Sequence, residues 1–122
     1  MGDKPHKRLE AWKRALELVT DVYKLTGAFP AHERYALVDQ MRRAAVSIPC
    51  NVAEGAARQT KKEFAQFLHV ARGSLSELDT QLEIAGRLGY MPAEGQRSLQ
   101  SSCEAVDRLL NGLVRSLRPR AL

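Results

Sequence analysis

The stretch TKKEFAQFLHVARGSLSELDTQLEIAGRLG, Thr60 to Gly89, decides the fold. Phe64, Phe67, Leu68, Ala71, Leu75, Leu78, Leu82 and Ala85 recur with the period of an α-helix and so gather on one of its sides. Thr60 to Glu63, T-K-K-E, has the form of a capping box, in which hydroxyl and carboxylate satisfy the free backbone donors of a helix start. Gly89 supplies the stop after Leu88. A helix of about 28 residues with one apolar stripe must bury that stripe against other elements.

Downstream, Tyr90, Met91 and Pro92 form a connection. Leu99, Cys103, Val106, Leu110, Leu113 and Leu117 then recur at 4, 3, 4, 3 and 4 through a fourth helix, which Pro119 closes. Upstream, a second helix is expected from near Glu33 to about Ala53 or Glu54, with Gly55 as its stop and Leu37, Met41, Ala44, Ile48 and Val52 as its seam. Pro49 lies inside it. Because the apolar period continues in phase through Val52, the proline predicts a kink rather than an end. The first helix is expected over about residues 7 to 26, with Leu9, Trp12, Leu16, Val19 and Tyr23 as its seam and Gly27 in a left-handed cap. Four such helices joined by short loops predict an all-α, antiparallel, up-down-up-down four-helix bundle.

Composition agrees. At 122 residues the chain suits one domain spanning 1 to 122, and 44% hydrophobic with only 6% aromatic residues favours a Leu- and Ala-rich bundle. The charged N-terminal residues do not resemble a signal peptide, and no run of about 18 apolar residues occurs, so a cytoplasmic protein with no membrane partner is expected. Cys50 and Cys103 form no C-x-x-C pair and read as small buried apolar residues.

Catalytic patterns are missing from the sequence. Di-iron bundles use Glu-x-x-His pairs, but Asp3, Phe29 and Gln66 stand three before His6, His32 and His69, so no metal is expected. The eight glycines match neither dinucleotide nor Walker spacing, no sharp turn presents a nucleophile, and no cofactor is expected. The reading is a binding or assembly protein, not an enzyme.

Two other patterns call for neighbours. Gln40, Arg43, Ser47, Asn51, Glu54 and Arg58 recur at 3, 4, 4, 3 and 4 on helix 2, and helix 3 carries Gly73, Ser74, Glu77 and Gln81. These lines read as a solvated face, as an internal hydrogen-bond network fixing helix register, or as a polar subunit interface. Leu18, Val22, Leu25, Val70, Ile84, Leu109 and Val114 stand outside the assigned seams, so either the core is broad or another subunit covers them.

The net charge of +5 is uneven: residues 1 to 62 hold 12 Lys and Arg against 7 Asp and Glu, and residues 63 to 122 hold 7 against 7. The cations fall into three groups: Lys4, Lys7, Arg8, Lys13 and Arg14; Arg42, Arg43, Arg58, Lys61 and Lys62; and Arg115, Arg118 and Arg120. The second group is the candidate nucleic-acid-binding set. Multiplied in an oligomer, such groups hold phosphate backbones without reading sequence, the alternative being a protein adaptor whose basic surface is incidental.

The residues QMRRAAVSIPCNVAEG (Gln40 to Gly55), KEFAQFL (Lys62 to Leu68), ARGSLSEL (Ala71 to Leu78) and LGY (Leu88 to Tyr90) closely resemble the 23S rRNA-intervening-sequence proteins. LEAW in helix 1 and FPAHERY in the first turn extend the likeness over nearly the whole chain, while Cys50 and the arginine-rich tail lie outside the matched pattern. The resemblance implies an up-down bundle assembled as a ring-shaped homopentamer, encoded in some bacteria within an insertion in the 23S rRNA gene, with no established biochemical role. The family is also similar to the pentameric accessory protein of diversity-generating retroelements, a basic bundle that binds nucleic acid and a reverse transcriptase. By that analogy the partners are a second copy of the chain, RNA or DNA, and a protein.

Overall fold

A computed structural model describes residues 4–119. Arg120, one of the basic residues of the tail, lies outside the described residues. Among the described residues there are four α-helices: α1 Glu10–Thr26, α2 Leu37–Ala56, α3 Lys61–Arg87 and α4 Ala93–Ser116. Single 3-10 turns at Pro5–Arg8 and Ala31–Glu33 precede the first two. Each helix packs on two others, α1 on α2 and α4, α3 on α2 and α4, which closes a four-helix bundle around one core. Ser47 meets Ser74 and Gly55 faces Phe64 and Phe67, so numbers rise along α2 as they fall along α3. Arg72 meets Asp107, while Gln96 and Gln100 reach Glu83, giving α3 and α4 the same opposed sense.

The core is built from the stripes of α2, α3 and α4 much as their periods imply. Met41, Ile48, Val52, Leu68, Leu78, Leu82 and Leu110 are completely buried, each stabilising the fold by about 1.5–3 kcal/mol relative to an exposed position. Val114, placed outside the α4 seam by its spacing, belongs to this core, and Leu109 is partly buried against it.

Helix α1 is rotated from its expected setting. Its buried face is Ala11, Ala15, Leu18, Val22 and Thr26, while Leu16 and Tyr23 are exposed and Leu9, Trp12 and Val19 only partly covered. Two stripes of similar period run along this helix. The one with small residues turns inward, because alanines let α1 approach its neighbours closely, and the larger side chains are left on the flank. Leu18 and Val22 are therefore core residues, and Leu25 packs at its edge.

The helix ends also depart from their sequence signals. Leu9 is extended, with φ −79° and ψ 127°, so residues 5–8 form a separate 3-10 turn and α1 starts at Glu10. Helix α2 starts at Leu37 rather than near Glu33, and Oε1 of Glu33 accepts a hydrogen bond from the Leu37 amide at 3.4 Å, satisfying one free donor of the first turn. Gly27 is right-handed, at φ −60°. Gly55 is not a stop either: α2 runs on to Ala56, and a Cβ at Gly55 would stand 2.7 Å from Cβ of Phe67 and 2.9 Å from Cδ1 of Phe64. Glycine is needed there so that α2 and α3 can touch.

Helix α3 keeps its expected limits. The Glu63 amide donates to the Thr60 hydroxyl at 3.1 Å, and that hydroxyl donates to Oε1 of Glu63 at 3.0 Å. At the other end Gly89 takes φ +75°, with Gly89 N–H to the Gly86 carbonyl and Tyr90 N–H to the Ala85 carbonyl, both 3.0 Å. That pair of bonds is a Schellman motif, which the left-handed glycine makes possible. Helix α2 is continuous across Pro49, which is buried.

Candidate nucleic-acid interface

The alternating course of the helices brings the start of α1, the end of α2, the start of α3 and the end of α4 to one pole. Gly55 against Phe64 and Phe67 joins α2 to α3 there. Lys61, Lys62, Gln66 and His69 share an open groove of about 890 Å³ with Val114, Leu117 and Arg118, which joins α3 to α4. Glu10 and Ala11 line a smaller recess of about 320 Å³ with Arg108, Gly112 and Ser116, which joins α4 to α1.

This pole collects cations from three distant parts of the chain. Residues 4–16 bring Lys4, Lys7, Arg8, Lys13 and Arg14; residues 53–68 bring Arg58, Lys61 and Lys62; residues 108–119 bring Arg108, Arg115 and Arg118. The same segments hold only Glu10, Glu54 and Glu63, although Arg108 also borders a groove with Asp79, Glu104 and Asp107, whereas the other described residues hold seven Lys and Arg against ten Asp and Glu. The surplus that the sequence spreads over its first half is thus concentrated at one end of the folded molecule. A field of one sign on one surface attracts polyanions and raises their encounter rate.

The candidate set divides. Arg58 stays at the pole, bonded to Oε1 of Glu54 at 3.0 Å, with its guanidinium 4.7 Å from the Phe67 ring centre. Lys61 and Lys62 are exposed in the first turn of α3 and have no carboxylate within 4.0 Å among the described residues. Arg42 and Arg43 stand about 20 Å back along α2 from its end at Ala56, fourteen and thirteen positions at about 1.5 Å each. Arg42 is occupied there: Nε donates to the Thr26 hydroxyl at 3.0 Å, the guanidinium donates to the Tyr23 carbonyl at 3.2 Å, and it lies 4.4 Å above the Tyr23 ring. It caps the last turn of α1, where a cation also suits the helix dipole. Arg43 pairs with Asp39 at 3.0 Å.

The polar stripe divides in the same way. Its centre joins two helices of one chain: the Ser47 and Ser74 hydroxyls are 2.9 Å apart, and the Asn51 amide donates to the Ser47 carbonyl at 2.8 Å and hydroxyl at 2.9 Å. Its outer members Gln40, Arg43 and Glu54, with Glu77 on α3, are exposed. Beside it Gln81 is buried, and its Oε1 has no hydrogen-bond partner.

Several features escaped the sequence reading. At the pole opposite the cations, the Tyr90 hydroxyl donates to Oε2 of Glu33 at 2.7 Å, with His32 Nε2 3.4 Å from the same hydroxyl and the Phe29 ring 5.4 Å from that of Tyr90. The Tyr90 hydrogen bond holds the Glu33 carboxyl below its ordinary range, helped by the Leu37 amide and His32, and the same bond pushes the Tyr90 phenol upward. These residues lie within FPAHERY and LGY, whose likeness to a family marks them without disclosing their contact. Cys50 is exposed rather than buried, on the solvent side of α2 beside Val46 and Ser47. Cys103 is buried, and burial, then Asp79 and Glu104, pushes its thiol up to about 12. Among the described residues no three His, Cys, Asp or Glu side chains are grouped to hold a metal, and no helix is long and apolar enough to cross a membrane.

Fold and surface together define a small four-helix bundle with one strongly basic end. More particularly, the chain belongs to the family described as 23S rRNA-intervening sequence protein, whose model matches residues 7–112. Among solved structures, a protein of unknown function from the S23 ribosomal protein family of Bacteroides thetaiotaomicron VPI-5482 is similar, with a TM-score of 0.80 at 21% identity over 86% of this chain and 95% of the other. That likeness establishes the fold. No curated protein matches the chain.

Proposed function

We propose that this protein is a non-enzymatic oligomer, a homopentameric ring of four-helix bundles, that binds nucleic acid, RNA foremost, through its basic pole. The reading rests on the convergence of eleven Lys and Arg with three acids where four helix ends meet. The cytoplasm is its setting.

Oligomerisation is supported by apolar side chains left in solvent on two separate sides of the bundle. Leu16, Tyr23 and Val46 lie along α1 and α2, and Val70, Ile84 and Leu88 lie along α3. Different patches on different faces suit a head-to-tail contact, which closes as a ring when the rotation permits. The count of five comes from the family resemblance. In a ring whose axis follows the bundles, all the basic poles share one rim.

Binding through phosphates alone must weaken steeply with salt, with log affinity falling by nearly one unit per contacted phosphate for each unit of log salt. Fluorescence anisotropy with a structured RNA should show that slope, and Lys61→Glu with Lys62→Glu should weaken binding by about tenfold or more at low salt. Undetectable binding at low salt would sink the RNA reading; light scattering that gives a monomer would remove the ring. The second reading, a protein adaptor, draws on the same exposed apolar side chains, and it stands if RNA affinity is indifferent to salt and to both lysines.

A further inference from the structure

We infer that the polyanion suited to the basic pole is double-stranded, held by the density of its phosphates, and that single strands are the poorer ligand. The inference rests on the nucleic-acid reading above and specifies its ligand.

A protein that holds single strands joins a basic groove to aromatic faces on which unpaired bases stack, each stacked base contributing about 1–3 kcal/mol. All seven Phe, Tyr and Trp rings of this chain lie among the described residues. Three belong to the basic pole. Trp12 is half-buried with its ring 5.0 Å from that of His6, Phe64 closes on the Gly55 backbone, and Phe67 carries the Arg58 guanidinium 4.7 Å above it. Each already has a partner. Phe29 and Tyr90 pack on one another at the opposite pole, Tyr23 lies under Arg42, and Tyr35, the most exposed ring at 87%, sits between α1 and α2. The free Phe, Tyr and Trp surface is therefore at the wrong end for the cations, which leaves the exposed His69 ring, in the groove beside Lys61 and Lys62, as the stacking face among them.

What the basic pole offers instead is charge gathered where the four helices begin and end. Lys61 and Lys62 stand on the first turn of a 27-residue helix whose start is locked by the Thr60 cap. A dense cluster of cations gains most from a dense lattice of phosphates, and duplex DNA carries about one charge per 1.7 Å of its axis, the bases of either duplex being already stacked inside. Contacts from Lys and Arg to phosphate do not depend on the 2′-hydroxyl, so duplex RNA and duplex DNA share the recognised chemistry.

The test is anisotropy with three labelled probes of equal length, about 20 nucleotides each: an RNA duplex, a DNA duplex and an unstructured RNA strand. The inference expects the duplexes to bind within about threefold of one another and the single strand about tenfold more weakly, with a shallower salt slope. Lys61→Glu with Lys62→Glu should narrow that gap while the melting curve stays in place. A single strand bound as tightly as the duplexes overturns the inference and leaves the nucleic-acid reading standing. Failure of all three probes at low salt removes both, and binding only to anionic lipid vesicles would assign the pole to a membrane surface.

Discussion

The two poles of this bundle are held together by different physics. At the basic pole the helices are joined by backbone and rings: Gly55 lets Phe64 and Phe67 close on α2, and the charged side chains around them are largely surplus to that contact. At the opposite pole the joints are polar. Arg42 clasps the end of α1 through Thr26 and Tyr23, Tyr90 reaches from the α3–α4 connection to Glu33, and Gln96 and Gln100 both donate to Glu83 at 3.3 Å. Polar groups that hold a fold are unavailable to a ligand, whereas cations that hold nothing are free for one. The difference argues that the polar pole stabilises the bundle and leaves the basic pole available to the proposed ligand.

The largest effect expected from disturbing this comparison is at the apolar joint. Gly55→Ala places a methyl 2.7 Å from Cβ of Phe67 and 3.3 Å from the Phe64 carbonyl, both anchored on helix backbone that cannot swing away. Overpacking of this kind costs about 1–3 kcal/mol, to be read from urea unfolding at neutral pH. The cost should be indifferent to pH and salt, since no ionised group takes part. A loss that varied with salt would show that the basic pole relies on its charges after all.

How far the sequence discloses this arrangement depends on where each signal resides. Helix α3 is legible from end to end because its cap, its stripe and its Gly89 stop are local and agree. Helix α1 is legible as a helix but not in its rotation: Leu9, Trp12, Leu16, Val19 and Tyr23 have the larger side chains, yet Ala11, Ala15, Leu18 and Val22 share the period and pack more closely. Glycine is ambiguous for a similar reason, since the same residue serves a helix stop at Gly89 and a close approach at Gly55. The basic pole is hardest to foresee. Its cations come from three segments that only the turning chain brings together, and Arg42, grouped with Arg58 by sequence, lies at the other end. Tyr90 and Glu33 are 57 positions apart, with no periodicity to connect them.

A smaller and pH-dependent effect belongs to the polar pole. Because its folded-state affinity for protons is lowered, Glu33 stabilises the bundle fully above the ordinary carboxylate range and loses that contribution as pH falls through its folded value. Tyr90, shifted upward, contributes below the ordinary phenol range and loses it as pH rises through the folded value. Tyr90→Phe removes the 2.7 Å bond that dominates both shifts. Its deficit against the parent in urea unfolding should be widest near neutrality and shrink towards acid. A deficit constant from neutral to acid pH would mean that the tyrosine acts by packing on Phe29 alone.

The smallest stability effect should come from the change that matters most to the proposed ligand. Lys61 and Lys62 are exposed, free of carboxylate partners among the described residues, and set at the positive end of the α3 dipole amid like charges. Glutamates there meet a favourable dipole and relieve repulsion, each effect worth about 0.3–1 kcal/mol at low salt, against surface substitutions that ordinarily change stability by less than about 0.5 kcal/mol. Unfolding of Lys61→Glu with Lys62→Glu should therefore be unchanged or slightly harder, while RNA affinity falls. A loss of more than about 1 kcal/mol would make the lysines part of the scaffold, and the contrast between a pole that holds the fold and a pole that is free to bind would no longer stand.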